Sequence, residues 1–243
     1  MMINTPLETL AKDFKYYASS LAEMWLNLML KRQYQEAGQL CINFIESYSF
    51  GFKGRSFEID EEEYNDLLIL LIFFKGLHEY VQLCQITEDK NWHEENEVVE
   101  HVWLKLCDCR ERLEFSSKYC QGEAIERVFY DLDGLEKFFQ DTFGNGSYFS
   151  PGMVADTSLC NICHQDCRAC SHLAGRLYGG KICFYQPVNP IFNHVAIVKT
   201  PKDPRCRIWH WHIKDNEDES IVIKDACILT SSRVDDFLQD YES

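Results

Sequence analysis

The sequence has little positive charge. It carries 24 Lys and Arg against 39 Asp and Glu, a formal net charge of −15. A surface of that sign repels phosphate backbones, so broad-faced binding of nucleic acid is disfavoured. An apolar run long enough to cross a bilayer is also missing. The longest, Leu67–Phe74, falls well short of the roughly 20 residues a span requires and reads as a buried helix segment. No basic stretch followed by an apolar one stands near Met1, Met2, Ile3 and Asn4, which argues against a secretory signal. Together these absences set the expectation of a cytoplasmic protein without membrane contact. A 34-residue helical-repeat period, suggested by Tyr34-Gln35-Glu36-Ala37, finds no second copy, so a repeat array is not expected.

What is present is material for a large core: 46% of the 243 residues are hydrophobic and 14% aromatic. That excludes global disorder and suffices for one large domain or two ordinary ones. The acidity is concentrated. Residues 1–150 hold 14 basic and 27 acidic side chains, against 10 and 12 in the remainder. An acidic surface suits solubility or a basic protein partner.

Residues 1–145 read as an acidic helical bundle. Thr5-Pro6-Leu7-Glu8 has the form of a capped helix start. Leu7, Leu10, Phe14, Tyr17, Leu21, Trp25 and Leu28 then follow at spacings of three and four. After a break at Arg32–Tyr34, a second helix carries Ala37, Leu40, Cys41, Phe44, Ile45 and Tyr48, and Ser49–Arg55 reads as a loop. Asp60 starts a third helix, with Glu61, Glu62 and Glu63 placed favourably in its first turn. Its middle is apolar on nearly every side, as expected of a central helix. A fourth is expected from about Trp92 to Phe115 and a fifth from about Gly122 to Thr142. His93, Glu97 and His101 share one helix face, but among Glu94, Glu95 and Glu100 they read as a solvated face. Cys107-x-Cys109 points two thiols to opposite sides, with Cys107 in the core.

Phe143–Gly152, with three glycines and a proline, reads as a linker. Residues 146–243 then form a second unit. Twelve cysteines without a secretory signal point to a reducing compartment, where clustered cysteines bind metal more often than they form disulfides. Cys160-x-x-Cys163 has the spacing of a metal knuckle, in which a tight turn aims both sulfurs at one tetrahedral ion. The second pair must come from Cys167, Cys170, His172 and Cys183. Gly175, Gly179 and Gly180 let the chain reverse and return Cys183. The favoured set is Cys160, Cys163 and Cys183 with either Cys170 or His172. Cys167 ranks last because it would close a very small loop. Soft thiolates with an imidazole point to zinc in a structural role. An iron–sulfur cluster would use four cysteines too. A redox dithiol at Cys160 and Cys163 lacks a thioredoxin-like strand–helix context.

Ser150-Pro151-Gly152, Cys160-x-Ile162-Cys163, Cys170-x-His172, Gly175-x-x-Tyr178-x-Gly180 and Cys183 resemble a small zinc-binding module of bacterial and phage proteins, mostly of unassigned function. The resemblance spans about residues 150–208 and none of the helical half. It implies Cys160, Cys163, Cys170, His172 and Cys183 as metal ligands, with Cys167 an extra, and it implies little about activity. Val195–Pro204 also resembles the closing strand of phage prohead serine proteases. No nucleophilic serine motif accompanies it, so no protease activity is carried over.

His194–Lys199 reads as a strand, Arg205–Ile213 as a second, Ser220–Leu229 as a third and Val234–Tyr241 as a short helix. On the second strand, Arg205, Arg207, Trp209 and Trp211 alternate with His210 and His212. The Arg/Trp side could stack on bases or grip a carboxylate. His210 and His212 could reach one metal but fit outward-facing strand positions better. The expected architecture is α+β: an N-terminal helical bundle followed by a zinc knuckle on a small antiparallel sheet. The expected function is a non-enzymatic, zinc-stabilised interaction or regulatory protein with a basic protein partner. Bacterial or phage conflict roles (defence, counter-defence, toxin neutralisation) suit that class. One rival is a zinc-dependent hydrolase or nuclease, needing a general base from Asp166, His194 or His210. Another is an iron–sulfur or thiol redox sensor.

Overall fold

A computed structural model describes residues 14–215, 218–224 and 233–238. The fold is α+β. Five helices of more than three turns come first: α1 (Phe14–Leu30), α2 (Tyr34–Lys53), α3 (Glu61–Thr87), α4 (Asn96–Ser116) and α5 (Glu123–Phe143). The capping motif expected at Thr5–Glu8 lies outside the described residues. From Phe14 onward the helical periodicity holds, with Phe14, Ala18, Leu21 and Trp25 buried on one side of α1. A 3-10 turn at Trp92–Glu94 precedes α4, so the fourth helix starts at Asn96 rather than Trp92.

α3 begins with a full capping box. The Glu63 amide donates to the Asp60 carboxylate at 2.8 Å, and the Asp60 amide donates to the Glu63 carboxylate at 3.0 Å. The helix then buries residues all round, from Tyr64 through Leu71, Ile72 and Phe74 to Leu83. It is long and apolar enough to span a membrane, but 72% of its apolar stretch is buried by the rest of the chain. α2 and α4 lie along it, and α1 packs on α2. α2 runs to Lys53, through the segment read from sequence as a loop. Gly51 lies buried within that helix, and the Phe57 ring sits where its Cβ would be, 2.4 Å from the nearest ring carbon.

The remainder is a set of antiparallel ribbons. β1 (Tyr148–Val154) pairs with β6 (Ile191–Val198), and β2 (Thr157–Cys160) pairs with β5 (Tyr185–Val188). β3 (Leu177–Tyr178) and β4 (Lys181–Ile182) form a hairpin between them, and β7 (Trp209–Asp215) pairs with β8 (Asp218–Lys224). The expected linker is therefore partly strand. Gly152 breaks nothing there; the His194 ring of the paired strand lies over it, where a Cβ would be. The terminal helix expected from Val234 is a 3-10 turn at Asp236–Leu238 within the described residues. Most of Leu229's neighbourhood in the third expected strand lies outside them; β8 ends at Lys224.

The ribbons are held against the helices at two ends. At the base, Arg207 is 2% exposed and its guanidinium lies 4.6 Å from the Trp209 ring centre and 5.0 Å from that of Trp103. It donates to the Phe143 and Gly144 carbonyls at 3.0 and 2.8 Å, capping the C-terminus of α5 with a cation. Arg205 is buried too, paired with Asp108 at 2.8 Å and Glu111 at 2.9 Å on α4. These arginines do not stand on a strand, as their alternation with Trp209 suggested. Residues Pro204–Cys206 form a 3-10 turn, and both guanidinium groups are spent inside the protein rather than offered to bases. At the tip, Gly179 and Gly180 have φ of 52° and 74°, as a two-residue hairpin turn of this hand requires. The Gly180 amide donates to the Asn65 side chain at 2.7 Å, and Leu177 and Ile182 pack on Leu68, Ile69 and Ile72 of α3.

Replacing Arg207 by Met keeps much of the packing against the two indoles but leaves the Phe143 and Gly144 carbonyls without their guanidinium donor. Arg207→Met is expected to lower stability by about 2 kcal/mol, the usual scale for a hydrogen bond to a charged group. Urea unfolding of the variant beside the parent measures it.

Candidate metal centre

The metal-ligand candidates sit at the end of the β2–β5 ribbon. β2 delivers Cys160, which pairs across the ribbon with Tyr185. The chain then turns tightly. The His164 amide donates to the Cys160 carbonyl at 2.8 Å, and His164 takes the left-handed conformation with φ 57°. The turn points the Ile162 amide at the Cys160 sulfur, 3.4 Å away. A second, smaller turn repeats the device: the His172 amide donates to the Cys170 sulfur at 3.2 Å. Amides aimed at sulfur favour the thiolate, the form that binds metal.

Cys160, Cys163, Cys170 and His172 place their three sulfurs and one imidazole nitrogen within 4.8 Å of one another. Cys163 Sγ lies 3.3 Å from Cys170 Sγ, Cys170 Sγ lies 3.3 Å from His172 Nδ1, and Cys160 Sγ lies 3.8 Å from His172 Nδ1. A tetrahedral ion with bonds near 2.3 Å to sulfur and 2.0–2.1 Å to nitrogen separates its donors by about 3.6–3.8 Å. The donors lie near the spacing such an ion needs, while a disulfide would need sulfurs about 2.05 Å apart. No disulfide joins the clustered cysteines Cys160, Cys163, Cys167, Cys170 and Cys183.

The fifth candidate, Cys183, is buried with its sulfur 3.8 Å from that of Cys160. Sequence left Cys170 and His172 as alternatives beside Cys183. The structure brings both into the cluster and sets Cys183 against one of its corners. The reason lies in the backbone. Cys183 extends the β3–β4 ladder, its amide donating to the Arg176 carbonyl and its carbonyl accepting from Gly175, each at 2.8 Å. Cys167 stands outside the group, its amide bound to the Ser158 carbonyl at 2.8 Å.

Electrostatics distinguish the thiols. Burial opposes ionisation of Cys160, but the amides of Cys163 and Ile162, with the Cys170 and Cys183 thiols, outweigh it and bring the group down to about 6. Burial, reinforced by the ionised neighbour at Cys160, pushes Cys170 and Cys183 up to about 11. Asp166, one of the bases considered for hydrolysis, is held well below the usual carboxylate range by Arg168, which bonds it at 2.7 and 2.9 Å, and by Thr157. A carboxylate so engaged is a poor proton acceptor. His194 lies on β6 beside Gly152 and is not part of the cluster, and the side chains of His210 and His212 lie outside the described residues. His93 packs edge-on against Trp92 and Phe138 and forms no metal group with Glu97 and His101 among the described residues. Cys107 and Cys109 are both buried in the helical core.

Some supporting residues were not singled out from sequence. The Tyr185 hydroxyl donates to the His172 carbonyl at 2.5 Å, and the Tyr178 ring meets the imidazole edge-on at 4.5 Å. Asn161 bridges the knuckle to the returning chain, donating to the Ile182 carbonyl at 2.9 Å and accepting from the Phe184 amide at 2.8 Å. These contacts orient the ligands from outside, as ligand supports commonly do. Tyr178 stood in the Gly175-x-x-Tyr178-x-Gly180 spacing; for the others the sequence offered only an amide placed between two cysteines.

Substitution sorts the five donors. Cys163→Ser and Cys170→Ser are expected to lose stoichiometric metal, Cys167→Ser to retain it, and Cys183→Ser to retain it with lower affinity, all read by elemental analysis after dialysis. Cys170 must give up its proton to bind, so affinity is expected to rise with pH between 6 and 8. Competition with a chromophoric chelator across that range reads the slope. Compared with protein-family models, with curated proteins and with solved structures, the chain gives no match.

Proposed function

We propose that this chain is a non-enzymatic interaction protein whose ribbons are fastened by a structural zinc ion. The observation that carries the reading is the exposed face of the β1–β6 ribbon. A bulge after Gly152 skips Asn193, so that Met153 pairs with Phe192. Pairing puts Phe192 on the same side as Val195 and Ile197. Met153, Phe192, Val195 and Ile197 are 45%, 48%, 41% and 68% exposed, a contiguous apolar strip on a two-stranded ribbon. Such strips mark protein contacts far more often than catalytic surfaces.

The donor set supports a structural ion. Thiolate-rich sites with four protein donors are typically closed, whereas catalytic zinc keeps one position for water. Soft sulfur donors with an imidazole favour zinc. Free thiols favour a reducing compartment such as the cytoplasm. The partner in this reading is a protein with a basic surface, drawn by the acidic helices and completed by apolar contact along the ribbon. A regulatory role in bacterial or phage conflict suits this class, although the resemblance around Cys160–Cys183 itself implies a metal site and little about activity.

Affinity capture at low salt tests the reading. A partner protein is expected to be recovered with the parent, to be released as salt rises, and to be lost with the double variant Phe192→Ser, Ile197→Ser. Recovery indifferent to both changes overturns it. Metal-edge spectroscopy is expected to report four protein ligands; three ligands and a bound water would favour the hydrolase instead.

A further inference from the structure

A cavity of about 380 Å³ lies between α1, the start of α2, and the facing parts of α3 and α5, remote in sequence from the metal cluster. Its walls are of two kinds. Leu26, Met29, Leu83, Leu132 and Leu135 make an apolar side. The other side gathers hydrogen-bond donors. Trp25 is fully buried, lines the cavity, and its indole N–H has no acceptor. A buried donor left unpaired costs about 1–3 kcal/mol, so it needs an explanation.

Two arginines also line the cavity. Arg127 on α5 is paired with Asp131 at 3.2 Å, and the same carboxylate accepts from the Tyr80 hydroxyl at 2.5 Å. Asp131 is thereby engaged twice, while Arg127 keeps further N–H groups. Arg32 has no ion pair among the described residues. It ends α1 in a Schellman turn: its amide donates to the Met29 carbonyl, and the Gln33 amide donates to that of Leu28, each at 2.9 Å. The residue at this position takes φ 56°, a conformation that favours glycine. An arginine is held in strain at the mouth of the cavity. The charged lining is Arg32, Arg127 and Asp131, an excess of positive charge. That excess sits in a segment where acidic side chains outnumber basic ones 27 to 14.

The geometry points to a binding site for a small organic carboxylate with an apolar body. The carboxylate would accept from Arg32, from the free N–H groups of Arg127 and from the Trp25 indole, and the apolar body would lie against the leucines. Guanidinium groups suit planar carboxylates, and an apolar pocket of this size with a few convergent polar groups is the usual form of a small-molecule site. This site goes beyond the interaction role and does not rest on it.

Isothermal titration of the intact, metal-loaded chain with octanoate tests the site, with 1-octanol and inorganic phosphate as the neutral and purely anionic comparisons. Octanoate is expected to bind saturably, and the other two at least tenfold more weakly. Arg32→Gly separates ligand binding from folding, because glycine relieves the turn. It is expected to raise the melting temperature and to weaken octanoate at least tenfold. Arg127→Gln is expected to weaken octanoate similarly. The proposal is overturned if octanoate does not saturate, if octanol matches it, or if folded Arg32→Gly and Arg127→Gln both keep the parent affinity.

Discussion

At the centre of the fold stands a helix with no polar side. α3 buries residues around its whole circumference, and water cannot be left against any of them without a penalty of about 25 cal/mol for each Å² of apolar surface exposed. Helices cover most of it. Phe44 of α2 stacks on Phe74 with ring centres 4.2 Å apart, and Leu113 of α4 lies so close to Gly76 that a Cβ there would fall within 2.9 Å of it. They do not cover Leu68, Ile69 and Ile72 completely. Leu177 and Ile182 from the hairpin, with Val234 and Phe237 from the C-terminal turn, close that stretch together with Phe115. The cysteine cluster holds the chain that delivers this hairpin. Its structural consequence thus reaches beyond its own ribbons to the central helix.

Buried charge sets how the parts align. Glu79 of α3, pushed up by burial, meets Arg112 of α4 at 2.5 Å, and Arg112 reaches Asp236 at 2.5 Å. Asp108 joins Arg205 and Arg233. Pairs of this kind seldom add much net stability, since desolvation offsets their attraction, but breaking one leaves a charge stranded. The alignment of α3, α4 and the two C-terminal segments is therefore specified by charge as well as by shape.

Much of this was legible in the sequence. The 3.6-residue period carried the helices, and dense cysteines carried the metal cluster, because both are local signals. What escaped was set by distant partners. Gly152 and Pro151 read as breakers until the His194 ring is seen to need the space above Gly152. Arg205 and Arg207 read as one face of a strand, since periodicity cannot show that an arginine is buried against Asp108 or against two indoles. The choice among Cys170, His172 and Cys183 depends on how a Gly-Gly hairpin seats on Asn65, which spacing alone does not contain. Arg32 carried no signal at all, because a left-handed arginine looks like any other helix-flanking cation.

The hairpin tip has a consequence for how the chain assembles. The four clustered donors span only residues 160 to 172, whereas the bond from Gly180 to Asn65 joins residues 115 apart. Closing a short loop is entropically cheap and fast; a contact between distant segments must wait for the intervening chain to order. The Cys/His knuckle is therefore expected to close early, as a local event, and the docked tip to form late. On that ordering the knuckle closes before the helices are joined to it, so a closed knuckle is not yet a folded chain.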